Sequence, residues 1–311
     1  MGFSIYLPIA ATSINVFLLL GLGGLVGFLS GLFGVGGGFL LTPLLIMFGI
    51  PPTVAAASDS NQIVAASASG TYAHYRLGNV DFKMGIVLLI GGLIGGTLGV
   101  QLVKILRATG NADFVIKITY VAMLGIIGGY MFVESLQSLK RAPLEEEIQT
   151  ASPEKPSFYA RLITGLPFKL HFEKSGIHIS FLIPLILGIL VGVLAAIMGV
   201  GGGFIMVPIM VYLLRMPMHV VVGTSLFQIY FTCVNVTIMQ ASINHSVDFI
   251  LALILLVGSS SGAQLGSRVS KRLKGDQIKI LLAVIILAVM IQMLFGLVRT
   301  PHLLLSYKGG H

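Results

Sequence analysis

Charged side chains are scarce in this sequence. Only 10% of its 311 residues are Asp, Glu, Lys or Arg, against about 25% in ordinary soluble domains, and 56% are hydrophobic. The run 179–198 contains no charged residue, and about 20 apolar residues suffice for a helix to cross the hydrocarbon core of a bilayer. Comparable runs recur along the chain. The sequence therefore predicts an all-α polytopic membrane protein in contact with membrane lipid.

Lys and Arg are absent from the first 75 positions, and the chain has a single cysteine. No Lys or Arg precedes Arg76, so the first apolar segment lacks the basic start of a signal peptide and is predicted to be a retained helix. The single Cys233 excludes an intrachain disulfide. The formal charge of +8 comes from residues near segment ends, as the positive-inside rule expects. No nucleic-acid partner is predicted.

Motifs for catalysis are missing from the apolar segments. The glycine clusters lack the Gly-Lys-Ser/Thr that completes a phosphate-binding loop. There are no paired carboxylates, His clusters or Ser/His/Asp sets in these segments. A sensor would need a folded soluble domain, and the polar stretch 138–178 is too short for a usual one. We predict no enzyme activity, no cofactor and no metal site.

Glycine is abundant, with 39 residues, and two of its clusters are identical. The sequence GVGGGF occupies 34–39 and again 199–204, and each copy is followed by a proline at the same spacing. "ASDSNQ" (57–62) then aligns with "GTSLFQ" (223–228), "VDF" occurs at 80–82 and 247–249, and "GGTLG" (95–99) falls on "GAQLG" (262–266). Matched landmarks in the same order predict an internal repeat.

Apolar windows and helix breakers divide each half into five helical segments. The predicted segments are 14–33, 36–49, 53–76, 82–106 and 112–137, then 179–198, 201–214, 218–243, 248–270 and 275–298. This gives a first membrane repeat (1–137), a polar linker (138–178) and a second repeat (179–311). The segments flanking each cluster either both span or form a hairpin that enters and returns. Both alternatives give an odd number of crossings, so the second repeat is predicted to be inverted.

The distribution of basic residues predicts an orientation. Under this topology one side of the membrane collects 14 Lys and Arg, including those of the linker, and the other side collects five. The richer side should be cytoplasmic. We therefore predict a multi-pass protein of the cytoplasmic (inner) membrane, with both termini outside and the linker 138–178 inside. The sequence leaves open whether it forms a homo-oligomer.

The two glycine clusters are candidate breaks at the centre of a transport site. Segments 36–49 and 201–214 are short, and short Gly-interrupted segments in matching halves are the best sequence indication of a transporter site. Backbone N–H groups at such breaks attract anions. The candidate substrate-binding residues at the breaks are Gly36, Gly37, Gly38 and Phe39, and Gly201, Gly202, Gly203 and Phe204. Close helix packing is the alternative role for these glycines, and it is favoured for 91–99 and 262–266.

Polar residues on the segments after the breaks complete the candidate site. They are Ser58, Asn61 and Gln62 in the first repeat, and Thr224, Ser225 and Gln228 in the second. Interhelical hydrogen bonding is the alternative role for this polar stripe. Asp59, whose repeat partner is Ser225, is a coupling candidate, because a carboxylate in a membrane segment is a functional hypothesis by default.

The doubled GVGGGF…P, each followed by a proline and a [ST]-S/D-x-x-Q stretch, resembles the TauE/SafE family of sulfite exporters across both repeats. The resemblance implies export of sulfite, an organosulfonate or a related small sulfur-containing anion. It places the family's glycine motifs on 34–38 and 199–203 and its polar segments on 58–62 and 224–228. The first repeat departs from the pattern, since "SDSNQ" adds Asp59 and Asn61.

These observations predict a secondary transporter that exports a small sulfur-containing anion by alternating access around the paired breaks. The alternative function is a cation or metal-ion transporter that uses Asp59.

Overall fold

The computed structural model describes residues 3–33, 38–140, 169–214, 216–270 and 275–299. Helices dominate this part of the chain and fall into two sets of five. The first set is α1 (Val16–Phe33), α2 (Gly38–Met47), α3 (Pro52–Arg76), α4 (Phe82–Ala108) and α5 (Ala112–Lys140). The second set is α6 (Leu182–Met198), α7 (Gly203–Pro208), α8 (Met218–Ile243), α9 (Phe249–Ser270) and α10 (Gly275–Arg299), with a π-helix, Ile209–Leu213, directly after α7. The predicted all-α polytopic class is confirmed, and the helix ends lie within three residues of the predicted ones when α7 and the π-helix after it are taken together.

Five of these helices are long and apolar enough to cross a membrane: α4, α5, α8, α9 and α10. Their outer faces are apolar, as the row Ile86, Ile90, Ile94 and Leu98 on α4 illustrates, with each side chain about half exposed. Helix α3 has spanning length but a more polar composition, and most of its first half is buried in protein. The protein is therefore a multi-pass membrane protein.

A short β-hairpin precedes each set of helices. Strands β1 (Ser4–Leu7) and β2 (Thr12–Asn15) pair antiparallel, as do β3 (Lys169–Phe172) and β4 (Ile177–Ser180). The second hairpin begins inside the predicted linker 138–178 and ends at Ser180, so the helix predicted from 179 begins at Leu182. The first residues of the linker also continue α5 to Lys140. Thus the described end of this polar stretch is the counterpart of the N-terminal hairpin.

Helices of each repeat pack against helices of the other repeat. Helix α1 packs along α9, and α4 packs along α6. In both pairs glycines bring the backbones together: a Cβ on Gly95 would overlap the Ile189 carbonyl, and one on Gly262 would overlap that of Gly24. The predicted packing role of the glycines at 91–99 and 262–266 is confirmed at these positions.

Helices α3 and α8 cross antiparallel at the centre. Ile63 packs with Ile229 and Cys233, whereas Gly70, further along α3, faces Leu226, which is earlier on α8. Ile63 and Ile229 are repeat partners. Two equivalent antiparallel helices are related by a two-fold axis perpendicular to their length, so the axis lies in the membrane plane and the repeats are inverted.

The order of contacts also shows the path of the short helices. Gly38 lies against Ile63 and Thr42 against Asp59, so α2 runs antiparallel to α3, from the level of the two-fold axis back to the side where α3 begins. Helix α1 starts on that same side, because the β1–β2 turn contacts Asp248 near the start of α3. Together α1 and α2 enter and return, and α3, α4 and α5 cross.

Candidate functional site

The second-repeat break is a tight, glycine-specific turn between α6 and α7. Gly199, Gly201 and Gly202 have φ angles of 75°, 69° and 80°, values that L side chains rarely adopt. A Cβ on Gly201 would lie 2.6 Å from the Cys233 sulfur and 3.0 Å from Ile229. In this conformation the turn is packed against the centre of α3 and α8. Backbone geometry and packing both require glycine here.

The first-repeat break is described from Gly38 onward, and the predicted site residues Gly36 and Gly37 lie outside the described residues. Gly38 begins α2. A Cβ at Gly38 would overlap the Ile63 side chain and lie 3.3 Å from the Val200 Cα atom of the opposite break.

The two breaks meet through their aromatic residues. The rings of Phe39 and Phe204 stack with centroids 4.6 Å apart and planes 11° from parallel. Both side chains are almost fully buried. The structure therefore brings together Gly38 and Phe39 of one repeat with Gly201, Gly202, Gly203 and Phe204 of the other.

Ser58 and Thr224 bind the opposite repeat. The Ser58 hydroxyl accepts a hydrogen bond from the Asp248 backbone N–H at 3.1 Å, and the Thr224 hydroxyl accepts one from the Asp81 N–H at 3.0 Å. The hydroxyls thereby fix the turns that precede α9 and α4, which makes a reciprocal pair of contacts. Ser58 and Thr224 thus have the alternative role considered for these polar residues, which is hydrogen bonding between helices.

The two aspartates of the repeated VDF motif organise these contacts. Asp81 accepts from the N–H of Met84 at the start of α4, and its other oxygen accepts from the N–H and hydroxyl of Ser175 in the β3–β4 turn. Asp248 likewise accepts from the Leu251 N–H and from the Ile9 N–H in the β1–β2 turn. Each aspartate caps a helix and anchors the hairpin of the other repeat.

Gln62 and Gln228 are buried, and their side-chain amides bond residues outside the two breaks. The Gln62 amide donates to the Ser259 hydroxyl on α9 at 2.6 Å. The Gln228 amide donates to Thr232 at 2.9 Å and lies against Gly92 of α4. The carbonyl oxygen of each glutamine is buried without a hydrogen-bond partner, so both have an unused acceptor.

The remaining polar candidates differ between the repeats. Asn61 is half-buried. The hydroxyl of buried Ser225 donates to the Val222 carbonyl of its own helix. Asp59 is fully buried; its Oδ2 accepts a hydrogen bond from the Thr42 hydroxyl at 2.8 Å, and its Oδ1 has no hydrogen-bond partner.

Sequence reasoning missed four residues around this centre: Thr42, Tyr120, Asp81 and Asp248. The VDF repeat marked the aspartates as landmarks without indicating what they cap. Tyr120 is fully buried on α5 and donates to the Met198 carbonyl at the end of α6. A tyrosine within an apolar helix gives no sequence signal for such a contact. In the described part of the chain, no group of three or more His, Cys, Asp or Glu side chains is placed to hold a metal ion.

Comparison with known proteins agrees with this architecture. Residues 19–293 match the family described as "Sulfite exporter TauE/SafE", and the chain belongs to that family. The "Probable membrane transporter protein YunE" of Bacillus subtilis is 24% identical over 291 residues, covering 89% of this chain and 97% of the relative.

A second Bacillus subtilis relative, "Probable membrane transporter protein YjnA", is 27% identical over 263 residues, covering 84% of this chain and 93% of its own length. "Sulfite exporter TauE/SafE family protein 1" of Arabidopsis thaliana is 31% identical over 93 residues, which is 30% of this chain and 21% of the relative. No solved structure matches. The family and its relatives establish membrane transport as the general function.

Proposed function

We propose that this TauE/SafE family member is a secondary transporter that exports a small sulfur-containing anion, sulfite or an organosulfonate, by alternating access. The observation that carries the proposal is the meeting of two re-entrant helices at the two-fold axis, where Phe39 stacks on Phe204. Inverted-repeat transporters bind substrate at the midplane between discontinuous helices.

The second-repeat break favours an anion as the substrate. Successive residues that alternate between right- and left-handed backbone conformations direct their N–H groups toward one point, which forms a concave anion site. Across Gly199, Val200 and Gly201 the φ angle is positive, negative and positive. The backbone N–H groups of this turn would bind an anion without a Lys or Arg at that depth. Because these donors are neutral, they would also allow the anion to be released.

In the conformation described here the breaks are closed. Gly201 is packed against Ile229 and Ile63, and the two phenylalanine rings are buried in contact with each other. We propose that substrate enters when one re-entrant hairpin moves away from the axis. Phe39 and Phe204 then become opposite walls of the site, and the inverted repeats make the two directions of opening equivalent.

The test is flux of radiolabelled sulfite, sulfoacetate, sulfate and Ni²⁺ in proteoliposomes. We expect saturable flux of sulfite or the sulfonate, and no saturable flux of Ni²⁺. Phe39→Ala and Phe204→Ala each remove a stacked ring worth about 0.5–1.5 kcal/mol beyond its buried area. Because this energy stabilises the closed conformation, each variant should change the rate of saturable anion flux by about threefold to tenfold.

Phe295→Ala is the matched control, because Phe295 is 66% exposed on the outer face of α10 and should leave flux unchanged. Flux of Ni²⁺ alone would contradict anion transport and support the cation alternative. Anion flux that both central variants leave untouched would contradict the location of the site.

A further inference from the structure

Asp59 is a carboxyl without a charged partner at the centre of the protein. It is fully buried, and its hydrogen bond from Thr42 leaves Oδ1 unpaired. Tyr120 on α5 and Cys233 on α8 lie close enough to interact with its charge, and neither is a cation. An ionised carboxylate buried in this way is very costly.

The position of Asp59 links its charge to the re-entrant hairpin of the first repeat. Thr42 lies on α2, one turn after Gly38, and its hydroxyl donates to Asp59, which also lies close enough to Tyr120 for their charges to interact. We name Thr42, Asp59 and Tyr120 the Asp59 cluster. The neighbouring α2 side chains Phe39, Leu40, Leu41 and Leu45 are buried and apolar. A charged Asp59 would need water, which can reach it if α2 separates from α3.

The Asp59 cluster also contacts the break of the second repeat. Tyr120 donates to the Met198 carbonyl, and Ser60, next to Asp59, donates to the Gly199 carbonyl at 3.2 Å. Consequently a change in the charge of Asp59 acts on α2 and, through α3 and α5, on the turn between α6 and α7. The Asp59 cluster therefore contacts both halves of the proposed transport site.

The second repeat has no equivalent of this cluster. The partner of Asp59 is Ser225, which bonds its own helix, and the residue aligned with Thr42 is Val207. The first repeat therefore supplies one titratable group near the two-fold axis that the second repeat lacks at the aligned position. A hydrated metal cation would need several oxygen ligands, and Thr42 supplies the one hydroxyl that bonds the Asp59 carboxyl among the described residues.

We propose that Asp59 is the binding site of a coupling proton. The carboxyl takes up H⁺ to become neutral, which allows α2 to pack on α3. It releases the proton to water on one side of the membrane when α2 moves away, and it takes up a proton from water on the other side when the turn between α6 and α7 moves away, so one proton crosses in each cycle. The inference rests on the proposed function for its substrate, but the protonation itself is independent of which anion moves.

Two flux measurements separate coupling from transport. The first is exchange of labelled for unlabelled sulfite at equal pH on both sides, and the second is net sulfite flux with an imposed pH gradient. We expect Asp59→Asn to retain exchange within about threefold and to lose the response of net flux to the gradient, because the amide holds the same shape without titrating. A normal gradient response in Asp59→Asn would overturn the proposal.

Matched variants sharpen this result. Ser261→Ala removes an exposed hydroxyl on α9 that bonds the Val257 carbonyl of its own helix and should leave the gradient response intact. Thr42→Val removes a donor that favours the ionised carboxylate, so the midpoint of the flux–pH profile should move upward. A Thr42→Val profile that is unshifted would contradict the assigned hydrogen bond and the proposal with it.

A third arm needs no substrate. Dicyclohexylcarbodiimide, which enters lipid and reacts with protonated carboxyls, should modify Asp59 in the wild-type protein, with less modification as the pH rises. Asp81 and Asp248, whose oxygens accept several hydrogen bonds, should stay unmodified. Modification of Asp59 without any sulfur-anion flux would support the proton site and defeat the proposed substrate. Absence of Asp59 modification at every pH would overturn the proton site.

Discussion

The two repeats share a skeleton and differ at the centre. Each has a β-hairpin, a re-entrant pair of helices, three further helices and an aspartate that anchors the hairpin of the other repeat. At the axis, however, the first repeat has the Asp59 cluster where the second has Ser225 and Val207. The second repeat also follows α7 with a π-helix, whereas α2 is regular up to Met47.

This comparison separates architecture from coupling. Features that occur twice hold the inverted repeats together, since each such contact joins one repeat to the other. Features that occur in one repeat alone make no such reciprocal contact. They are therefore the candidates for coupling transport to an ion. We expect changes to shared features to damage folding, and changes to the unshared Asp59 to damage coupling while sparing the fold.

The largest effect is expected at the glycine break. Gly199→Ala would place a Cβ on the Ala56 carbonyl at a φ of 75°. A left-handed alanine already costs about 1–2 kcal/mol, and the overlap with backbone adds to that. We expect most of the variant to aggregate, as measured by the monodisperse fraction on size exclusion after heating in detergent.

Gly21→Ala is the control for this change. Gly21 lies within α1 with nothing near its missing Cβ, so alanine should stabilise the protein by up to about 1 kcal/mol. Equal thermal stability of the two variants would mean that the break does not require glycine.

A smaller effect is expected from the paired aspartates. Asp81→Ala and Asp248→Ala each remove a helix N-cap, worth about 0.5–2 kcal/mol, and leave buried N–H groups unpaired. Asp81 also accepts the Ser175 hydroxyl, whereas Asp248 has one bond from its hairpin. The melting temperature should therefore fall more for Asp81→Ala than for Asp248→Ala.

Asp113→Ala provides the comparison, because its contact with the Thr53 N–H is long, at 3.4 Å. It should lower the melting temperature least of the three. The reverse order would show that the reciprocal contacts at the VDF motifs contribute little to joining the repeats.

Much of this fold followed from repetition in the sequence. The two GVGGGF clusters, the VDF pairs and the glycine rows at 95–99 and 262–266 located the helices and the breaks, because glycine and proline limit the backbone whatever surrounds them. The inverted arrangement followed from an odd number of segments. Periodicity alone did not show that the helices flanking each cluster form a re-entrant pair.

The contacts between the repeats could not be predicted from the sequence. Ser58 and Thr224 were visible as polar residues, but their partners Asp248 and Asp81 are well over 100 positions away. The hairpins escaped notice because strands of four residues carry little pattern. Thr42 gave no signal, since a lone threonine in an apolar segment is ordinary, and its bond to Asp59 depends on α2 turning back along α3.

The smallest effect is expected at the surface of the second hairpin. Lys83 and Glu173 bond at 2.7 Å with both side chains more than 60% exposed, and the first hairpin has no charged residue in its turn. Lys83 lowers the pKa of the Glu173 carboxyl. The contribution of this ion pair to stability is thus present at neutral pH and is lost as the pH falls through the lowered pKa of Glu173.

Glu173→Gln should leave the melting temperature at pH 7 almost unchanged, because solvent screens exposed ion pairs. Its small difference from the wild type should vanish in acid. Ser175→Ala, two residues away in the same turn, removes a 2.5 Å bond to buried Asp81 and should cost about 1 kcal/mol. If Glu173→Gln proved the more damaging of the two, the hairpin would be held by its exposed charge, and the symmetric anchoring of the two repeats would lose its support.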